Sequence, residues 1–263
     1  MKNPTIFILS VVLFLGGTLN VFGQHLSDTK EFTFSIGSNF GSFKDSNFSP
    51  LNYNQRGQTF TLNYQTYGRQ TGNLFGIKLA FSPNLISTEG VDYFSSDYYL
   101  GTISLAYLKN KNLIASNQAL HIGGQLQSDL QLVDFEGLDA FTYLFAHSLA
   151  LKGKYSYEIG RRHRLQSSLS IPVLSYIVRP PHNGYNKTTE ANEDSPLKLI
   201  SVDGQLTSLK TYQTVNWMLE YRYAVGQKLD LAVGYQLLYQ RHKDIHQFTR
   251  FNHQISLGGV VRF

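Results

Sequence analysis

The sequence predicts an all-β protein: a transmembrane antiparallel up-and-down β-barrel of ten strands. Three observations carry that reading. Apolar and polar residues alternate through ten successive segments, the links between segments alternate between short and long, and after residue 23 no apolar run approaches the length of a membrane-crossing helix. A helix needs about 20 apolar residues to cross a bilayer, whereas a tilted strand crosses with about 9–11. Strict alternation is what a strand with two different faces requires.

The chain begins with Lys2, an apolar run from Ile6 to Leu15, and the small and apolar stretch Val21-Phe22-Gly23. This is the layout of a secretory signal peptide. Cleavage is expected after Gly23, so residues 1–23 are a leader and residues 24–263 the barrel. There is no cysteine, which excludes a disulfide framework and a lipid anchor on a processed cysteine.

Charged residues make up only 16% of the chain and aromatics 14%, almost all of them Tyr (17) and Phe (18), with one Trp. A charge-poor, aromatic-rich chain without long apolar runs suits strands with one face on lipid and the other on a polar lumen. The net charge of +5 is scattered rather than gathered into a patch. No nucleic acid is expected as a partner, since binding one wants clustered cations.

The segments follow in order. Phe32, Phe34, Ile36 and Phe40 share one parity, then Phe60, Leu62 and Tyr64, then Phe75, Ile77, Leu79 and Phe81. The fourth set is Tyr99, Ile103, Leu105 and Tyr107, and the fifth Leu120, Ile122, Leu126 and Leu130. The sixth holds Leu149, Leu151, Tyr155, Tyr157 and Ile159; the seventh Leu165, Leu169, Ile171, Val173 and Ile177. The last three are Val215 to Tyr223, Leu229 to Tyr239, and Phe251 to Phe263. Merging or splitting a segment would change the count to eight or twelve. Pro172 removes a ladder hydrogen bond inside the seventh, so a bulge is expected there.

The links at 68–73, 160–163 and 225–228 are short, whereas 42–57, 82–97, 131–144 and 178–210 are long. Short turns at one end and long loops at the other are a barrel's signature, the short turns being periplasmic. Two outward belts of aromatics follow from this topology. Phe32, Phe75, Tyr107, Tyr157, Tyr223 and Phe263 should ring the turn end; Phe40, Phe60, Phe81, Tyr99, Tyr239 and Phe251 should ring the loop end.

The last eight residues are Ser256-Leu257-Gly258-Gly259-Val260-Val261-Arg262-Phe263. Ser256, Gly258, Val261 and Phe263 occupy the polar, glycine, hydrophobic and terminal aromatic positions of a pattern that resembles the C-terminal assembly signal of bacterial outer-membrane β-barrel proteins. The resemblance implies an outer-membrane location, contact with outer-membrane lipid, and recognition of the final strand by the barrel-assembly machinery.

Motifs for hydrolases, nucleotide binding and zinc proteases are absent, and neither a cofactor nor a metal is expected. His242 and His246 are close in sequence with His253 beyond, but lack an identifiable third ligand. Arg161, Arg162, His163 and Arg164 fall at a short turn, where cations lie beside lipid headgroups. If the sixth and seventh segments pair with Tyr157 opposite Leu165, His147 faces Ser175 near the loop end. Barrel-embedded lipid hydrolases place such a Ser–His pair on their lipid-facing wall, though with a His-x-Ser element that adjacent His147 and Ser148 do not reproduce.

The polar parity carries Lys78, Asp129, Lys152, Lys154, Glu158, Arg164, Glu220, Arg222, Asp230, Arg250 and Arg262 into the lumen. A barrel this narrow is filled by its own side chains, so these charges are expected to plug it as ion pairs, Glu158 with Arg164 and Arg222 with Asp230. The expected function is a small barrel for envelope structure, surface interaction through its outer loops, or limited solute passage. A lipid-modifying hydrolase, and a subunit of a larger envelope export or uptake complex, are the alternatives.

Overall fold

A computed structural model describes residues 29–47, 49, 51–88, 95–111, 117–134, 141–179, 204–243 and 247–263. The expected leader at 1–23, His246, and most of the 178–210 link lie outside these residues. The strands are β1 (Thr29–Asp45), β2 (Tyr53–Tyr67), β3 (Leu74–Ser87), β4 (Ser95–Lys111), β5 (Gln118–Asp134), β6 (Phe141–Ile159), β7 (His163–Val178), β8 (Gln205–Ser208), β9 (Tyr212–Ala224), β10 (Leu229–His242) and β11 (Phe248–Arg262).

All but β8 build a closed antiparallel wall. Each strand pairs with its successor, β7 passes directly to β9, and β1 pairs with β11 to close the ring. Closure leaves no strand edge, the only way a sheet can satisfy its backbone groups inside a bilayer. Gly160, with φ 69°, lets the β6–β7 hairpin turn tightly.

The alternation predicts the two faces well. Phe32, Phe34, Ile36 and Phe40 of β1 lie exposed on the outer wall, while Glu31, Thr33 and Asn39 are buried in the lumen. The wall strands run from 13 to 19 residues, longer than the expected segments, because each continues past the membrane-length alternation. The long links expected at 42–57, 82–97 and 131–144 are corrected in this way: β1 reaches Asp45 and β2 starts at Tyr53, β3 reaches Ser87 and β4 starts at Ser95, and β5 reaches Asp134 and β6 starts at Phe141. The 178–210 link is corrected too, since β8 lies within it and extends the ladder of β7 from Leu174 to Ile177.

A bulge at Pro172 changes the register of β6 and β7. Leu149 pairs with Leu174 but Ala150 pairs with Pro172, leaving Val173 as the extra residue. Beyond the bulge every side chain changes face, as a one-residue slip demands. Ile177, expected on the outer wall, is therefore buried inside, and Leu174 is exposed outside. The chain has no cysteine background, which makes this register testable by crosslinking. Mild oxidation should crosslink the Ser148→Cys, Ser175→Cys pair, whose parent hydroxyls are 2.7 Å apart, as directly opposed residues permit. The His147→Cys, Ser175→Cys pair should stay reduced; the reverse result would remove the bulge.

Candidate functional site

The lumen is filled in three layers. At the loop end the inward positions turn apolar, and Phe43, Tyr53, Ile86, Tyr98, Leu144 and Phe248 belong to a buried cluster of eleven residues that fills the mouth. Phe43 is its hub: its ring stacks 5.3 Å from Tyr53 and 5.0 Å from Tyr98, and lies 6.4 Å from Phe248. Beneath it runs a belt of amides and hydroxyls. Tyr98 donates to Gln131 Oε1 at 2.8 Å, Gln131 to Gln240 Oε1 at 2.8 Å, and Gln240 to the Tyr212 hydroxyl at 2.7 Å. Asn39 likewise donates to Thr59 and Ser82. Buried polar atoms need such partners.

The turn end is closed by charge. Glu31 is its centre, taking Arg222 at 2.8 Å through one carboxylate oxygen and Arg164 at 3.3 Å through the other. Arg222 also binds Glu220 at 2.5 Å, and Arg164 also binds Glu158 at 2.9 Å. Lys154 donates to Gln65 at 2.7 Å and to the Tyr67 hydroxyl at 3.0 Å. Glu158 and Arg164 thus sit opposite and in contact.

The expected contact of Arg222 with Asp230 is corrected. Asp230 is opposite Ala224 and Arg222 opposite Ala232, because the β9–β10 hairpin closes two residues tighter than assumed, with the Val225 N–H bonded to the Leu229 carbonyl at 3.0 Å. Asp230 pairs instead with Arg262. Sequence reasoning missed Glu31, although it shares the inward parity of Thr33. It lies one residue outside the counted segment and 191 residues from Arg222, a partner only barrel closure could supply.

The expected His147–Ser175 pair is also corrected. The bulge turns Ser175 into the lumen, where it meets Ser148 Oγ at 2.7 Å. His147 stays on the outer wall opposite Tyr176, with its Nδ1 2.9 Å from Ser128 Oγ of the neighbouring strand. A hydroxyl and an imidazole are thus hydrogen-bonded on the outer face. The Tyr176 ring stacks at 6.5 Å from the imidazole. His242 faces the lumen, whereas His253 stands outside against Phe40, Phe251 and Tyr235. Among the described residues no group of three metal-ligating side chains assembles.

The four C-terminal signal positions fall on β11 and its end, where the strand closes the ring against β1. Ser256 and Gly258 face inward opposite Gly37 and Ser35; Val261 and Phe263 are exposed on the outer wall. A Cβ on Gly258 would lie 2.6 Å from the Phe34 carbonyl oxygen and 2.8 Å from Ser35 Cβ. Gly258→Val is therefore expected to wedge the seam open. Folding yield, read as the heat-modifiable band on cold electrophoresis, should fall severalfold; an unchanged yield would remove this reason for the glycine.

The expected loop-end belt is corrected at Phe60 and Phe81, which pair with each other at the level of Ile36, half-way along β1. Phe75 is paired with Tyr107 near the turn end, and Tyr239 with Phe251 in the loop half.

No known family profile matches this chain, and no curated protein resembles it in sequence. Its fold is similar to that of the outer-membrane protease OmpT from Escherichia coli, with a TM-score of 0.58, 8% identity, and coverage of 91% of this chain and 99% of that one. Neisserial surface protein A aligns at a TM-score of 0.39 and 12% identity over 88% of this chain and 97% of its own. The Yersinia pestis attachment protein Ail aligns at 0.32 and 12% over 89% and 98%. A closed antiparallel wall of ten strands gives this chain the fold of the bacterial outer-membrane β-barrels.

Proposed function

We propose that the protein is a stoppered outer-membrane barrel, a rigid scaffold that carries its outer loops, above all the 178–210 link, at the cell surface for envelope structure or contact with a partner protein. The observation that supports this most is the double closure of the lumen, by the aromatic cluster around Phe43 and by the ionic cluster around Glu31. A filled lumen argues for a structural or adhesive role over solute passage, and loops on a rigid scaffold commonly carry function. The barrel-assembly machinery would receive the chain through β11, and outer-membrane lipid would cover its apolar wall.

The test is to purify the tagged full chain from outer-membrane extracts beside a variant lacking residues 184–200. A companion envelope protein should be recovered with the full chain and lost from the shortened one, with both chains in the outer-membrane fraction. Recovery of the same companions by both, or absence of the chain from that fraction, would contradict the proposal.

A second reading, a lipid-modifying hydrolase, draws on the contact between Ser128 and His147. An imidazole beside a hydroxyl can take its proton as the oxygen attacks a lipid ester carbonyl. The ester C–O bond then breaks, the lipid alcohol leaves with that proton, and water hydrolyses the acyl-serine to free the fatty acid and the serine. A serine-reactive fluorophosphonate should then label the folded chain and spare Ser128→Ala. An unlabelled native chain would end this reading.

A further inference from the structure

Between the two plugs the barrel encloses a cavity of about 140 Å³, several times the roughly 30 Å³ that one liquid water molecule takes. Its lining is unbalanced in charge. Five cationic side chains and two carboxylates, Asp129 and Glu220, face it. Even with Glu31 behind Arg222 counted, two positive charges are left without a carboxylate. Most of the cations have an identifiable neighbour. Lys154 is hydrogen-bonded, Arg250 lies 5.7 Å from the Tyr98 ring, and Lys78 feels both Asp129 and Glu220.

Lys152 is different. The charged groups that act on it are Lys78 and Lys154, both cations. Directly opposite it on β7 stands Ser170, whose buried hydroxyl has no hydrogen-bond partner among the described residues. Arg250 Nε, also buried on the cavity wall, is likewise unpartnered, as is the one acceptor Gln125 Oε1. An ammonium group repelled by its neighbours in a low-dielectric interior is costly unless an anion joins it. Unmet hydroxyl and guanidinium donors around the same space favour an acceptor with several oxygens.

We propose that this cavity is a binding site for one small inorganic oxyanion of the phosphate or sulfate class, held between Lys152 and Lys78 with Ser170 as a further donor. The site lies behind the ionic plug, where Arg164 and Glu158 keep some exposure to solvent, so the anion enters through the turn end or is captured as the barrel folds. The inference is independent of whether the loops bind a partner.

The full chain is refolded into detergent with radiolabelled phosphate, or separately sulfate, and passed through a desalting column. About one retained anion per chain is expected, surviving a large excess of chloride. Lys78→Met with Lys152→Met should retain none while still running as a heat-modifiable barrel. Should that double variant fail to fold, Ser170→Asp serves instead: it sets a carboxylate opposite Lys152, and should fold and retain no anion. No retention by the native chain, displacement by chloride, or equal retention by Ser170→Asp would overturn the proposal.

Discussion

Glu31→Ala should lower the stability of the folded barrel by about 3–5 kcal/mol, the usual cost of removing one partner from a buried ion pair. The Glu31 side chain is 2% exposed and that of Arg222 3%, so the substitution takes one of two carboxylates from a guanidinium that water reaches poorly and leaves it Glu220 alone. Arg164 would lose its inner contact as well. Urea unfolding in lipid vesicles reads this directly. Glu31→Met combined with Arg222→Met should lose clearly less than the sum of the single substitutions, because both single substitutions break the same Glu31–Arg222 pair. Glu158→Ala is the control. That side chain is 52% exposed, solvent screens its pairing with Arg164, and a loss of about 0–1 kcal/mol is expected. Equal effects at Glu31 and Glu158 would mean that the turn end is open to water.

Phe43→Ala should cost a comparable amount, about 3–5 kcal/mol, through lost burial and the void left behind. The ring is 2% exposed and contacts Tyr53, Tyr98 and Phe248 from three other strands. Phe40 is the matched control. Only three residues away on the same strand, it faces outward with 43% of its surface exposed. Its loss in lipid vesicles should be smaller, and should shift towards zero in a detergent that covers the wall less well. A larger loss at Phe40 than at Phe43 would show that the loop-end mouth is not packed.

The contrast between these two phenylalanines also marks how far the sequence could be read. Alternation identified the outer wall, since an apolar residue every second position has one explanation when the other parity is polar. It faded at the loop end, where the lumen itself becomes apolar: Phe43, Tyr53, Ile86 and Phe248 point inward with the parity of polar residues. Those residues read as link because both parities were apolar or mixed there. The bulge at Pro172 was expected from the missing backbone donor, but its consequence for Ser175 and Ile177 was not carried through, which is why His147 was matched with the wrong hydroxyl. Ser128 lay in view on the fifth segment, yet its contact with His147 needs the register between β5 and β6, and no hairpin turn tight enough to count fixed that register. Glu31 needed the closure of β1 onto β11 and the approach of β9 across the lumen, which no local pattern encodes.

The central claim, a lumen stopped at both ends, is tested most directly by single-channel recording. Purified full chain is inserted into planar lipid bilayers in concentrated potassium chloride under a steady voltage. The native protein should give no lasting conductance steps, and neither should Phe43→Ala or Glu31→Ala alone, because each leaves the opposite plug in place. The chain carrying both substitutions should give small, noisy openings. Stable, uniform conductance steps from the native barrel would contradict the account, for they would require a continuous water path past Phe43 and past the Glu31–Arg222 pair.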